Sequence, residues 1–370
     1  MSFRFRAAVL TAPDAVLRVE TVEAGPLAAD DVLVRIGAAG LCHTDLEVMT
    51  GQLRYPMPIV LGHEAAGTIE TVGPGVAASR MGERVVLSWN PHCGHCRPCE
   101  RGQPILCDTY IARGPGATHI DGHTRLVWQG RPAHSMFYMA GFAEYAVVTD
   151  ACAVRVPDAL AFDQACLIGC GVLTGVGAAT RIAAIGPGDS VAVIGCGAIG
   201  LAAVQGARLA GARRVIALDL NPDKLALARR MGATEAVDAG ADPLTAMKTL
   251  APGGVDVVLE AAGAPAGFRL SVEICRPGGQ VVWLGKVDVD HDISLRWGAL
   301  MGEKRITRSS YGGARTAEDM PMLAQAALDG RLDLGGLVTQ HIPLEDINRG
   351  FDDLRAGRAI RSVIMFRGAA

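Results

Sequence analysis

The chain has no basic tail, no long apolar run and no excess of one charge sign. Its 370 residues carry 35 Lys and Arg against 38 Asp and Glu, a formal charge of −3. That balance gives no electrostatic reason to expect a nucleic acid or an anionic membrane as partner. No stretch reaches the roughly 18 uninterrupted apolar residues that would mark a membrane span. Met1 to Leu10 alternates briefly and ends in Ala7-Ala8-Val9-Leu10, without the apolar core and cleavage pattern of a secretory leader, so a cytoplasmic protein is expected. A disulfide scaffold is not expected either, because a chain this long builds a core without staples and its ten cysteines are unevenly placed. The length favours two domains over one, and a composition half apolar and one-fifth charged is that of an ordinary globular protein.

Four of the cysteines are crowded into Cys93-Gly-His-Cys96-Arg-Pro-Cys99 and the Cys107 that follows. Short gaps let thiolates wrap one small ion with backbone turns between them, and the return to Cys107 supplies a fourth sulfur. Tetrahedral zinc takes that shell. An iron–sulfur cluster uses similar ligands and stands as the alternative. His92 and His95 lie beside a shell that four thiolates already fill, and they read as surface imidazoles.

Three further donors are dispersed: Cys42 in Cys-His-Thr-Asp, His63 in Gly62-His-Glu64, and Cys170 between Gly169 and Gly171. Two thiolates and an imidazole make a three-ligand zinc set whose fourth position stays open to water or substrate, which is a catalytic rather than a structural stoichiometry. Isolated cysteines are more often buried hydrophobes, and Cys166 is read that way. Cys170 differs because its glycine neighbours allow the backbone to approach an ion closely.

In chain order, 6–10, 17–20, 31–36, 60–72 and 84–89 read as short strands between Pro, Gly and Asp turns, an irregular β-domain with Cys42 and His63 in its connections. Residues 110–139 lack clear periodicity and form a long excursion, expected to supply a pocket wall or a subunit contact. A strand at 141–148 follows, then helical residues at 162–183. The next stretch, 190–194, is a buried-looking strand that runs into Gly195-Cys-Gly197-Ala198-Ile199-Gly200, then a helix to 210, then a strand ending at Asp219. This is the physical context of a dinucleotide site: a tight turn, close approach to a pyrophosphate, and an acid to accept hydrogen bonds from ribose hydroxyls. A carboxylate at Asp219 repels a 2'-phosphate, which favours NAD over NADP. Lys224 reaches toward the same ribose or is an exposed helix lysine. An alternating αβ rhythm continues with strands at 235–238, 255–260 and 280–285.

Together these pieces resemble the medium-chain zinc-dependent alcohol dehydrogenases, in the branch with two zinc ions per subunit. The resemblance runs from Ala7-Ala8-Val9 to Arg361-Ser-Val-Ile and includes Gly40-Leu-Cys-His-Thr-Asp45, Leu61-Gly-His-Glu64, the Cys93/Cys96/Cys99/Cys107 lobe, Leu167-Ile-Gly-Cys-Gly171, the Gly195 fingerprint and Gly350-Phe-Asp-Asp-Leu-Arg355. It implies an α/β chain with a GroES-like catalytic domain at 1–171, a Rossmann doubly wound parallel sheet at 172–307, and a return to the first domain at 308–370. By the same resemblance Cys42, His63 and Cys170 hold the catalytic zinc, Glu64 is an accessory ligand, Asp45 orients His63, and the four clustered cysteines hold the structural zinc. Thr44 is similar to the residue that takes the substrate proton.

The chain departs from the best-known members at two places. Glu47 stands where many have the last histidine of the proton relay, leaving that step to Glu47, His43 or water. His43 stands where some have an arginine against the cofactor pyrophosphate; Arg361 resembles the other pyrophosphate contact. Residues 51–58 lack the acid that glutathione-dependent formaldehyde dehydrogenases use near this point, which lowers that alternative. Trp89 and Phe137 occupy positions that line the family's substrate pocket, although each also reads as core. The resulting expectation is NAD-linked oxidation of a primary alcohol, aromatic or allylic, to its aldehyde. A catalytically silent zinc- and NAD-binding protein is the remote alternative. A homodimer is expected by the same resemblance, paired across a two-fold axis through a last sheet strand at 281–285.

Overall fold

The structure, a computed structural model, describes residues 3–366, so the first two residues of the N-terminal run and the last four of the chain lie outside it. It divides into a continuous unit, Gly171–Ala314, and a discontinuous one made of the chain on either side.

In the discontinuous unit, Phe3–Leu10, Arg18–Ala24, Leu126–Trp128, Arg131–Ser135 and Ile59–Val60 close into a small barrel. Its interior is filled by Phe5, Ala7, Val9, Val22, Leu126 and Trp128. Alternation along the strands explains the arrangement, since every second residue faces inward. A second sheet runs Ala153–Arg155, Arg84–Leu87, Glu64–Val72, Asp31–Gly40, Ser362–Met365, Gln340–Ile342, with Tyr145–Thr149 also paired to the Asp31–Gly40 strand. The single strand expected at 60–72 is two strands interrupted at Leu61-Gly62-His63. Gly62 has a φ of +95° there, a left-handed conformation that glycine adopts without steric cost.

The Asp31–Gly40 strand organises the neighbourhood of the site. At its end Gly40 is opposite Glu64 on one side and Val363 on the other. Residues distant in sequence, Glu64 and Arg361, are thereby brought to the same strand end. The helical residues at 162–183 form one run, Phe162–Ile182, with a widened π-type turn at Ile168–Val172 that carries Cys170. This run is long and apolar enough to cross a membrane by length and composition, and 78% of its most apolar window is buried.

The continuous unit is a six-stranded parallel sheet in the order Glu235–Asp238, Arg214–Asp219, Ser190–Ile194, Val255–Glu260, Cys275–Trp283, Arg305–Arg308. Ser190–Ile194 is buried along its whole length, as expected of a parallel strand covered on both faces. Each fully buried Val, Ile or Leu there contributes about 1.5–3 kcal/mol. The helix that carries Lys224 begins at Pro222. Asn221 caps it by accepting from the backbone of Asp223 and Lys224, and a proline at the first helical position is already set for the turn.

Two expectations need correction. The strand around 281–285 is not the sheet's edge: Gln280–Trp283 is paired with Arg305–Arg308 on its outer side, so it has no free edge to offer a second copy. The short Arg-Ile-Thr-Arg segment is too polar to stand out as a strand. The continuous unit also extends past 307. The Ser309 N–H donates to the Trp283 carbonyl at 2.9 Å, and Gly312 lies so close to Gly177 that a Cβ there would come within 2.6 Å of the Gly312 oxygen. Residues 308–314 therefore stay with the parallel sheet, and the return begins at Arg315.

Candidate metal and dinucleotide sites

Cys42 ends the approach to a short helix, His43–Met49, and Asp45 in its first turn accepts from the Cys42 backbone N–H at 3.1 Å. The same carboxylate accepts from the Gly62 N–H at 3.0 Å and lies 3.2 Å from His63 Nδ1. Asp45 thus ties the two connections together and places the Nδ1 proton, leaving Nε2 with its lone pair. His63 Nε2 is buried and has no hydrogen-bond partner. Donor atoms of Cys42, His63, Glu64 and Cys170 all lie within 4.8 Å of one another. A buried imidazole nitrogen facing two sulfurs and a carboxylate matches the zinc donor set, so these residues fit the ion the resemblance implies.

The charges fit as well. The Cys42 thiol is held well below its ordinary pKa, first by the Cys170 thiol hydrogen-bonded to it and then by Arg361 and His63, while Cys170 is pushed up by that same bond and by burial. Burial opposes a charge on His63, but Asp45 and the Cys42 sulfur outweigh it and raise its pKa. Burial pushes Glu64 up to about 7 against the pull of Arg361. Arg361 is itself only 4% exposed. Its guanidinium donates to both Glu64 oxygens, at 3.1 and 3.0 Å, and lies 3.5 Å from Cys42 Sγ. The guanidinium is enclosed beside the donor cluster because a buried carboxylate requires a counter-charge, a role in addition to the pyrophosphate contact expected of it.

His43, Thr44 and Glu47 follow Cys42 on the short helix, His43 exposed and the other two partly buried. Thr44 and Glu47 are three apart and share a face. Trp89 and Phe137 do come together: their rings are 5.3 Å apart, and Phe137 stands edge-on to His63 at 5.5 Å. Sequence reasoning missed two further members of this wall. Tyr55 meets Phe137 at 6.0 Å and Tyr110 meets Trp89 at 6.2 Å. Both sit in irregular segments where no periodicity singles them out; their aromatic character beside 51–58 and the start of the excursion was the available signal.

The sulfur atoms of Cys93, Cys96, Cys99 and Cys107 also lie within 4.8 Å of one another, and none of the four is in a disulfide. Cys96 and Cys99 are brought to 3.4 Å by the turn Arg97–Glu100. His95 is exposed and His92 partly so, with ring nitrogens directed at the backbone oxygens of Cys93 and Asn90.

At the parallel sheet, Gly197 caps the helix Ala198–Leu209 and has nothing within 4 Å of where a Cβ would stand. A Cβ on Gly200 would strike the Gly195 oxygen at 1.7 Å. The loop is therefore tight on one side and open on the other, at the amino end of a helix, which suits a pyrophosphate. Asp219 closes the next strand and accepts from the Cys196 and Asn221 N–H groups, one at each oxygen, at 2.6 and 2.9 Å. A carboxylate has lone pairs beyond those two for ribose hydroxyls. Lys224 is partly buried in the first turn of the following helix.

A GroES-like unit with this donor cluster and a six-stranded dinucleotide-type sheet define a dehydrogenase architecture. Residues 28–158 match the alcohol dehydrogenase GroES-like domain, and residues 198–328 match the zinc-binding dehydrogenase family. Among solved structures, the chain is similar to an alcohol dehydrogenase zinc-binding domain protein from Burkholderia ambifaria, at 34% identity and a TM-score of 0.94 over 99% of this chain and 100% of that one. It is also similar to the benzyl alcohol dehydrogenase of Acinetobacter calcoaceticus, at 30% identity and 0.93 over 98% and 99%. A third match is an Escherichia coli alcohol dehydrogenase solved with NADH, at 25% identity and 0.82 over 98% and 99%. The chain belongs to the medium-chain zinc-dependent alcohol dehydrogenase family, and is an oxidoreductase of that type.

Proposed function

We propose that the protein oxidises a primary alcohol carrying an aromatic or allylic body to its aldehyde, reversibly, with NAD+ as hydride acceptor. The observation that carries this reading is the buried, unpartnered His63 Nε2 converging with Cys42 and Cys170 beside an aromatic wall. Zinc held by Cys42, His63 and Cys170 would supply an electrophile for the substrate oxygen, and NAD+ would take the hydride. A second zinc in the four-cysteine lobe would have a structural role.

The chain's own residues divide the remaining work. Asp45 keeps the His63 lone pair on Nε2. Thr44 Oγ1 accepts the substrate hydroxyl proton, and Glu47 on the same helix face takes it onward, with His43 or water as the other routes. The alcohol carbon loses its hydrogen as hydride, so the balance is aldehyde, NADH and one proton. The flat rings of Trp89 and Phe137, extended by Tyr55 and Tyr110, favour a planar substrate body stacked on them, and similarity to a benzyl alcohol dehydrogenase supports that choice. Asp219 supports NAD over NADP.

The test is a rate panel of aliphatic, aromatic, allylic and secondary alcohols with NAD+ and with NADP+, and of formaldehyde with and without glutathione. Benzylic or allylic primary alcohols with NAD+ should have the highest kcat/KM. Thiol-dependent formaldehyde oxidation as the fastest reaction would replace this reading. We further propose a homodimer that uses the outer edge of Arg305–Arg308, near which Trp297 and Met301 are 78% and 62% exposed; sedimentation as a monomer at micromolar concentration would rule it out.

A further inference from the structure

The parallel sheet reverses its direction of growth between Ser190–Ile194 and Val255–Glu260, because the strands that follow each one add on opposite sides. In such sheets a ligand lies outside the carboxyl ends of the strands at that switch point. One wall of the crevice is the Gly195–Gly200 loop. The other is 261–264, the turn directly after Glu260. The two walls touch: a Cβ on Gly195 would come within 2.7 Å of the Ala262 nitrogen, and the Ala261 N–H donates to the Ile194 carbonyl at 2.7 Å.

Glu260 is fully buried at this point. Its Oε1 accepts from the N–H groups of Ala262 and Gly263, both at 3.0 Å. Its main-chain oxygen holds Leu284 and Gly285, at 2.7 and 3.0 Å. Space for the carboxyl exists only because side chains are missing around it. A Cβ on Gly267 would meet Oε1 at 2.6 Å, and one on Gly285 would meet Oε2 at 2.5 Å. Burial pushes this carboxyl up to about 7 although backbone N–H groups of Gly263, Ala262, Ala264 and Gly285 pull it down. An apolar side chain of similar size would avoid that desolvation, yet would leave the turn's N–H groups without an acceptor.

We propose that Glu260 is a positioning residue for the dinucleotide: by accepting from Ala262 and Gly263 it fixes the second wall of the crevice and so sets cofactor affinity. This rests on the cofactor reading above. It makes the affinity of the fingerprint loop depend on a residue outside the fingerprint.

The experiment is fluorescence titration with NADH of the zinc-loaded wild type, Glu260→Gln and Glu260→Leu, with zinc content and Tm measured alongside. Gln retains an acceptor oxygen in nearly the same volume, whereas Leu retains none. The expected result is an NADH Kd within about threefold of wild type for Gln and raised tenfold or more for Leu, with zinc content unchanged in both. A purely structural role would lower the Tm of Glu260→Leu without moving its Kd, and that outcome, or equal weakening in both variants, overturns the proposal. Should the Leu variant not fold, Gly285→Ala displaces the carboxyl from the other side; a raised Kd supports the proposal and an unchanged one overturns it. Absence of NADH binding by the wild type would instead remove the cofactor reading itself.

Discussion

Arg361 engages both carboxylate oxygens of Glu64, at 3.1 and 3.0 Å, with 5% of one side chain and none of the other exposed. Pairs of this kind gain less from their attraction than they lose when one partner is removed. Arg361→Leu is expected to destabilise the protein by about 3–5 kcal/mol, and adding Glu64→Gln should recover a substantial part. Denaturant melts of the two single variants and the double variant measure the coupling; strictly additive losses would show the pair to be independent.

The two donor clusters should lose metal separately. Wild-type protein is expected to bind two zinc ions per chain, Cys42→Ala one with activity abolished, and Cys99→Ala one with lowered stability. Metal analysis by mass spectrometry alongside activity separates these cases, and loss of both ions in Cys42→Ala would mean that the clusters are not independent.

Trp89 and Phe137 face each other at 5.3 Å, so removing the larger ring opens the wall beside His63. Trp89→Ala should raise the relative kcat/KM for bulkier or secondary alcohols and lower it for benzylic ones, by tenfold or so if a buried stacking contact of about 0.5–1.5 kcal/mol is lost with its area. Identical relative rates across the panel would assign Trp89 to the core alone.

His119 is buried with neither ring nitrogen hydrogen-bonded, 3.7 Å from an Asp31 that Arg125 already occupies at 2.6 Å. Burial, followed by the Arg125 charge, lowers its pKa to about 4. Above pH 6.5 the residue is neutral folded or unfolded and contributes nothing to pH dependence. As pH falls below that value the unfolded chain takes up a proton that the folded one refuses, so stability drops until about pH 4 is reached. The loss is at most about 1.4 kcal/mol per pH unit, a few kcal/mol in all. Chemical denaturation of wild type and His119→Gln between pH 4.5 and 7.5 should diverge below 6.5, wild type falling faster; parallel curves would contradict the assignment.

Much of the site was legible because its chemistry is written in short local motifs. The Cys93 to Cys107 spacing and the strand-to-glycine-to-helix succession are local, and the structure brings each set together. Cys42, His63 and Cys170 were recognisable by their neighbours rather than by their separation. The pairing of Arg361 with Glu64 was not legible because it is defined only by strand pairing across Gly40, which no local pattern announces. Tyr55 and Tyr110 lacked a period to place them, and Arg305–Arg308 lacked the apolar alternation that reveals a strand. Glu260 looked like an ordinary strand end until the glycines around its carboxyl were placed beside it.

The Ser362–Met365 strand has a consequence for biosynthesis. It lies between Gln340–Ile342 and Asp31–Gly40, pairing with both, so the discontinuous unit is missing an interior strand until residues beyond the whole parallel-sheet unit have been translated. The parallel-sheet unit is contiguous and has all its strands long before that. On a ribosome the second unit is therefore equipped to fold ahead of the first, reversing the usual amino-to-carboxyl order. Arg361, one residue before that strand, reaches Glu64 only at the same late moment, so nascent chains stalled before it would hold Cys42 and His63 without their buried counter-charge.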